Sequence, residues 1–358
     1  MKIVVAIDSF KGSVTSMEAG RAAETGAKNA DENICVKVYP LADGGEGTCR
    51  TLTAGLGGEM KSVEVTGALG NKVRAEFGEI GDLAIIEMAA AAGLNLVPEN
   101  LRNPLNTTTY GVGEMILSAA RDGCRNFIVG IGGSATNDCG LGMLTALGFD
   151  FGAGIFGRDL ADVKKIERTD KFRGCKFKIA CDVKNPLTGE NGCSAVYGPQ
   201  KGATPEIIAR MDGWIKNFAE LAGGENSVAG DGAAGGSGFA FRKFLGGELV
   251  PGVELILNAL KISDDLRDAD ILITGEGSVD AQTLQGKAPA GIAKLARRLN
   301  PKIKTVAIGG GVKIGGGAEL DATFSILRAP ATLAEAMDKT AAAKNLTATV
   351  EQIIRLIL

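Results

Sequence analysis

The sequence predicts an α/β protein. A doubly wound parallel-sheet domain, assembled from both ends of the chain, would carry an inserted α/β domain with a mixed sheet. Three observations lead there. The chain opens as strand, helix, strand, with the β-branched runs Lys2–Ile7 and Ile34–Tyr39 around an apolar-periodic helix. The same texture returns after Asp270. Between them, from Gly57 onward, short strands are joined by glycine turns.

Taken in order, Lys2 to Ile7 reads as a buried strand running into Asp8-Ser-Phe-Lys11-Gly12-Ser13. Thr15 and Glu18 have the spacing of a capping box and open a helix to about Ala30. Ile34, Val36 and Val38 alternate with polar residues, so a second strand ends near Tyr39, before the loop Asp43-Gly-Gly-Glu46-Gly-Thr48. In an open parallel sheet such strand tips are where ligands bind. Asp43 also suits a helix N-cap, but the entropy cost of its glycine-rich loop favours function. Val63 and Val65, then Val73, Ala75 and Phe77, then Leu83, Ile85 and Ile86 read as antiparallel hairpin strands. Asn106-Thr-Thr-Thr109 precedes a helix ending at Gly123; its hydroxyls fit ligand donors and an N-cap cluster equally well. Phe127 to Gly140 reads as a strand, a glycine turn and a helix start, an arrangement that aims backbone N–H groups at an anion. A close-packed βα turn is its plainer reading.

Residues 150–172 show no recognisable pattern. Phe177, Ile179 and Cys181 form a strand that ends on Asp182-Val-Lys184-Asn185. Lys201 stands just before the helix start Thr204-Pro205-Glu206, which has Pro at the first helical position. Gly230 to Gly238 is another glycine loop opening a helix. Ile271–Ile273 is a buried strand followed by Thr274-Gly275-Glu276-Gly277-Ser278-Val-Asp280, and a basic helix reaches Arg298. Thr305–Ile308 is a strand ending in the turn Gly309–Gly311, Ala322–Leu327 is another strand, and two helices close the chain. Two strands from the N-terminus and three from the C-terminus make one five-stranded, flavodoxin- or Rossmann-like sheet. The expected domains are therefore 1–57 with 258–358, and 58–257 as the insertion.

Composition removes several function classes. The chain has 358 residues, 45% hydrophobic and 23% charged, and its 52 glycines are about twice the usual share. Its 39 basic and 42 acidic residues are well mixed, which supports neither a nucleic-acid nor an anionic-membrane surface. No apolar run approaches the ~20 residues of a membrane span. Met1–Asp8 meets its aspartate too early for a signal-peptide core. Seven scattered cysteines without a C-x-x-C pair fit a reduced cytoplasm better than a disulfide framework or a zinc ribbon. Histidine is absent, which excludes Ser-His-Asp triads, H-E-x-x-H zinc sites and histidine bases.

Glycine turns, lysines and strand-tip carboxylates suit a polyanion with a divalent metal. Phosphoryl transfer needs those parts and no histidine. A Walker A loop is missing: Gly286-Lys287 lacks the upstream glycine. A rival reading takes Gly130-Ile-Gly132-Gly133-Ser134-Ala135 as G-x-G-x-x-A of an NAD-dependent oxidoreductase, with Asp150 near the acidic position. A third is a non-catalytic protein that binds a small anion.

Seven segments, in order along nearly the whole chain, together resemble the bacterial glycerate kinase family: 8–13 DSFKGS, 42–48 ADGGEGT, 107–111 TTTYG, 130–138 GIGGSATND, 181–189 CDVKNPLTG, 197–204 YGPQKGAT and 275–289 GEGSVDAQTLQGKAP. The resemblance implies ATP-dependent phosphorylation of D-glycerate, commonly to 2-phosphoglycerate, in a two-domain α/β fold with the active site in the cleft between the domains. ATP and Mg²⁺ are then the expected cofactors, and no nucleic acid or membrane partner is expected; a homodimer stays open. Lys11, Lys201 and Lys287 would neutralise phosphates. Gly44, Gly45, Gly47, Gly132, Gly133, Ser134, Gly275, Glu276 and Gly277 would line the nucleotide or anion site. Asp43, Asp138, Asp182 and Asp280 are candidates for base, with Asp43 and Asp138 also for the metal. Cys139 stands where the family usually has glycine, and Gln285 where histidine is common.

Overall fold

A computed structural model of the protein describes residues 1–42, 44–45, 47–281, 283, 288–313 and 319–358. Its strands, in chain order, are β1 Lys2–Ile7, β2 Cys35–Pro40, β3 Glu59–Thr66, β4 Lys72–Ile80, β5 Leu83–Glu87, β6 Asn126–Gly130, β7 Lys176–Ala180, β8 Glu248–Val250, β9 Ile271–Val279, β10 Lys304–Val312 and β11 Ala322–Ser325. The chain divides into two compact units: Met1–Asp43 with Ala54–Leu56 and Val253–Leu358, and Gly44–Thr53 with Gly57–Gly252.

The first unit is built on the five-stranded sheet β2-β1-β9-β10-β11, parallel throughout. Renumbered within the unit the order is 2-1-3-4-5, the doubly wound pattern of flavodoxin-like folds, with its switch point between β1 and β9. The sheet is apolar on both faces because helices cover both. Ile3, Val5 and Ile7 pack with Ala19, Ala23, Leu346 and Val350 on one side. Val4 and Ala6 pack with Leu257, Ile292 and Ala296 on the other. Each such aliphatic side chain taken from water contributes about 1.5–3 kcal/mol before entropy is counted. The helix Ser16–Ala30 starts on the expected capping box: Glu18 N–H donates to Thr15 Oγ1 at 3.3 Å and Thr15 N–H to Glu18 Oε2 at 3.0 Å.

Two expectations need correction here. Gly275–Gly277 and Gly309–Gly311 do not form turns; they continue β9 to Val279 and β10 to Val312. The ladder runs on through Gly309↔Glu276, Gly311↔Ser278 and Val312↔Val279. A Cβ on Gly275 would lie 2.0 Å from the Ile308 carbonyl oxygen. Glycine is therefore used for close strand approach, not for a bend. β1 stops at the pair Ile7↔Gly275, so the remainder of β9 extends past β1.

The second unit holds the mixed sheet β3-β4-β5-β6-β7-β8, antiparallel across β3, β4 and β5 and parallel from β5 to β8. Its core is rich in phenylalanine: Phe127 stacks on Phe177 with centroids 4.7 Å apart, and Phe149, Phe151, Phe218 and Phe239 gather about Phe244. The segment without a recognisable pattern supplies Phe151, Leu160 and Val163 to that core, around a 3-10 helix at Gly157–Asp162. Two helices not anticipated from sequence are Thr48–Gly55 and Gly252–Ala259.

Candidate active site

The parallel strands of the second unit end together. Glu87, Gly130, Ala180 and Val250, the last residues of β5 to β8, stand side by side in register. Asp182 follows two residues past the end of β7, exposed, and its Oδ1 accepts the Gly252 N–H at 2.9 Å. Gly44 and Gly45 lie on this edge. The Gly44 carbonyl oxygen is 3.2 Å from where a Cβ of Gly130 would be. A Cβ on Gly44 itself would lie 3.1 Å from Gly252 Cα and 3.7 Å from Asp182 Oδ2. With φ at +87°, Gly44 holds a conformation that other residues rarely adopt. Glu87 Oε1 accepts the Cys49 N–H at 2.6 Å, an acid placed in the first turn of the helix Thr48–Gly55. Glu87 also lines a cavity of about 260 Å³ with Gly47, Cys49, Arg50, Met60, Glu76 and Ala90.

The turn after β6 has an exposed lip and a buried body. Gly132 and Gly133 are exposed; everything from Ser134 to Gly140 is buried. Ala135 N–H donates to Ala92 O and Leu94 N–H to Gly133 O, both at 2.8 Å, which fixes the lip against the segment after β5. Asn137 Nδ2 donates to Ser194 Oγ at 2.8 Å. Asp138, fully buried, accepts four bonds: Thr109 N–H at 2.8 Å and Thr109 Oγ1–H at 2.7 Å, and the Gly140 and Gly142 N–H groups at 3.2 Å each. Burial pushes its carboxyl above the usual carboxylate range, against the pull of those donors. Lys201 is 2% exposed and donates from Nζ to Thr136 O at 2.6 Å and to Ser134 Oγ at 3.0 Å. Burial lowers its ammonium to about 8.

This geometry revises several sequence readings. The helix after the turn begins only at Leu141, and its first N–H groups are satisfied by Asp138 and Thr109. It therefore aims no donors at an anion; the exposed Gly132–Gly133 lip is the part open to one. The G-x-G-x-x-A reading loses its structural basis, because Ala135 is tied to Ala92 where the nucleotide helix would have to start. The three threonines face protein groups rather than a ligand, and one of them caps the helix that follows: Thr108 Oγ1 accepts the Tyr110 N–H at 3.1 Å, at the start of the helix Tyr110–Arg121. Thr107 Oγ1 donates to Pro104 O and Ala135 O, Thr108 Oγ1 to Ile155 O, and Thr109 Oγ1 to Asp138, while Thr109 at the N-cap makes no side-chain capping bond. Beyond that one capping bond, they bind loops together from inside.

In the first unit the candidates collect at the switch point between β1 and β9. Asp8 N–H donates to Gly275 O at 2.8 Å, and Ser9 N–H to Asp8 Oδ1 at 2.6 Å. Lys11 is exposed in the turn beyond. A Cβ on Gly277 would lie 3.5 Å from Phe10 Cα and 3.7 Å from Lys11 N. Thr283 Oγ1 donates to Glu276 Oε1 at 2.7 Å and accepts the Asp280 N–H at 3.0 Å. Asp43 and Lys287 lie outside the described residues. Gly47, at φ +89°, opens the helix that Glu87 caps. Thus Gly44, Gly45, Gly132, Gly133 and Asp182 come together in one unit, and Lys11, Glu276, Gly277 and Asp280 in the other. Glu87 is the residue that sequence reasoning passed over. It follows the apolar run Leu83–Ile86, and the strand-tip argument applied to Asp182 would have found it.

The profile of the glycerate kinase family matches residues 3–358. A glycerate kinase of Halalkalibacterium halodurans is 44% identical, over 94% of this chain and 93% of its own. A glycerate kinase of Haemophilus influenzae is 42% identical over 100% of this chain and 99% of its own. The glycerate 2-kinase of Escherichia coli K12 is 41% identical over 94% and 93%. A crystal structure from Salmonella typhimurium LT2, named as a glycerate kinase 2, superposes with a TM-score of 0.91 at 41% identity, covering 100% of this chain and 98% of that one. The chain belongs to the glycerate kinase family.

Proposed function

We propose that the protein is a glycerate kinase that transfers the γ-phosphoryl group of ATP to the C2 hydroxyl of D-glycerate, giving 2-phosphoglycerate and ADP. The observation that carries this reading is the row of strand tips Glu87, Gly130 and Ala180, roofed by Gly44–Gly45, with Asp182 beside it, in a chain with near-full-length relatives named glycerate kinase. The 2-position is favoured by the relative named glycerate 2-kinase. Phosphoryl transfer needs positioning and charge stabilisation above all. The Gly132–Gly133 lip would offer N–H groups to an anionic oxygen, and Asp182 would accept the hydroxyl proton or hold the metal. Lys11, Glu276, Gly277 and Asp280 would serve the second ligand, with Asp43 and Lys287 completing the set.

Mg²⁺ commonly binds through one or two carboxylates and the phosphates themselves. Among the described residues no cluster of three or more Asp, Glu or Cys could cage a metal, so binding shared with phosphate is the mode these donors suit. Asp182, exposed at a strand tip, fits such a ligand. Asp138 does not, because its oxygens face four protein donors in a buried site. When bound, Mg²⁺ would neutralise the triphosphate. We place the enzyme in the cytoplasm, where its seven unpaired thiols would be stable. Among the described residues no helix is long and apolar enough to cross a membrane.

The test is ADP release with ATP, Mg²⁺ and D-glycerate, against L-glycerate and related hydroxy acids. Release that depends on D-glycerate supports the proposal. NADH turnover without ADP release would restore the oxidoreductase reading.

A further inference from the structure

Lys201 was read from sequence as a cation that neutralises phosphate, and its position calls for a different role. Its Nζ is sealed behind the turn after β6, with two acceptors in that turn: Ser134 Oγ at 3.0 Å and Thr136 O at 2.6 Å. Two of its three N–H donors are spent inside the turn, and the side chain is held behind the lip rather than on it. Ser134 is also buried, 6% exposed, and sits next to the exposed Gly133. An ammonium can only donate, so Ser134 Oγ must accept from Lys201 and direct its own hydroxyl proton elsewhere. Among the described residues no acceptor for that proton is present. A buried hydroxyl donor without a partner is costly, and here it adjoins the lip where Gly132 and Gly133 leave the backbone open.

We propose that Lys201 is a positioning residue: by occupying the acceptor side of Ser134, it turns the Ser134 hydroxyl into the third donor of an anion site whose other two are the Gly132 and Gly133 N–H groups. The ligand is an anionic oxygen, either of the glycerate carboxylate or of a nucleotide phosphate. The inference rests on the kinase reading for its choice of ligands, but not for its geometry. The buried cation also polarises the Ser134 O–H, which strengthens its bond to an anion. The titratable groups acting on Lys201 are Asp138 and Cys193, each of which favours the ammonium only in its anionic form; burial pushes the Cys193 thiol up to about 11, so it stays neutral over the range tested below. Above about pH 8 the ammonium loses its proton. The neutral amine can then accept from Ser134, so the hydroxyl turns inward and the third donor is lost.

The test is calorimetric binding of D-glycerate and of ADP, each alone, to wild type, Ser134→Ala, Lys201→Met and the double variant, from pH 6.5 to 9.5. The expected result is that Ser134→Ala weakens one of the two ligands about tenfold or more and leaves the other within twofold. Which ligand is affected identifies the anion. Lys201→Met should have the same selectivity, and the double variant should be no weaker than the worse single by more than twofold. Wild-type affinity for that ligand should fall as pH rises through about 8, and the fall should vanish in Ser134→Ala. Both affinities within twofold of wild type in Ser134→Ala would overturn the proposal, and this variant decides alone if Lys201→Met does not fold. Multiplying effects in the double variant would overturn it too. Binding without turnover in wild type would remove the kinase reading while leaving this test intact, and a wild type that binds neither ligand overturns both.

Discussion

Replacing Asp138 separates two accounts of the same residue. As a catalytic base or metal ligand it would be dispensable to folding. The structure instead makes it the hub of the turn after β6. Asp138→Ala leaves the Thr109, Gly140 and Gly142 N–H groups without their acceptor in a site with no solvent access. Each orphaned buried donor costs about 1–3 kcal/mol. Relief from burying the carboxylate offsets part of that sum, since desolvation already pushes this carboxyl upward. A net loss of about 4 kcal/mol follows, in line with the ~3–5 kcal/mol typical of breaking a buried, paired charge. At about 2–4 °C per kcal/mol, Tm should fall by roughly 10 °C. Asp138→Asn should lose somewhat less, because its amide keeps one oxygen but turns N–H groups toward donors. Thermal and urea unfolding of both variants measure this. An Asp138→Asn protein that melts within 2 °C of wild type while kcat drops a hundredfold would refute the structural role and restore the catalytic one.

Further outcomes follow from other parts of the molecule. Asp182→Asn, at an exposed strand tip, should keep its Tm within 2 °C and cut kcat by about 10²–10⁴-fold; near-normal kcat at saturating Mg²⁺ would remove it from the mechanism. Lys201 has a folded value of about 8 against 10.5 when solvated, so below pH 8 its burial costs about 3 kcal/mol. Between those two values the unfolded chain binds more protons, and stability from this group rises with pH. Urea titrations at pH 8 and 10 should show that rise in wild type and not in Lys201→Met. Gly275→Ala forces a Cβ to 2.0 Å from Ile308 O and should part β9 from β10, seen as a loss of soluble protein or a lowered Tm; a variant with wild-type Tm would mean the ladder can shift at little cost.

Much of the fold was legible because local and tertiary preferences agree. The strand Lys2–Ile7 and the helix ending at Ala30 match the bounds read from sequence, since β-branched residues and a capping box mark them. The five parallel strands followed from texture at the two chain ends. The glycines of β9 and β10 misled because glycine signals a turn locally, whereas here the neighbouring strand demands the missing side chain. The threonines at 107–109 were ambiguous because their partners, Ala135, Asp138 and Ile155, are distant in sequence. Lys201 was read as a cation for phosphate for the same reason: Ser134, which it holds, lies 67 positions away. The helix Thr48–Gly55 went unseen behind a glycine run that reads as loop.

The central claim, phosphoryl transfer to the C2 hydroxyl of D-glycerate, is tested most directly by phosphorus NMR of the product. Purified protein with ATP, Mg²⁺ and D-glycerate should yield ADP and one new monoester resonance, matching authentic 2-phosphoglycerate and coupled to the C2 proton. A resonance coupled to the C3 protons would contradict the assigned position. ATP left intact beside D-glycerate would contradict the kinase itself.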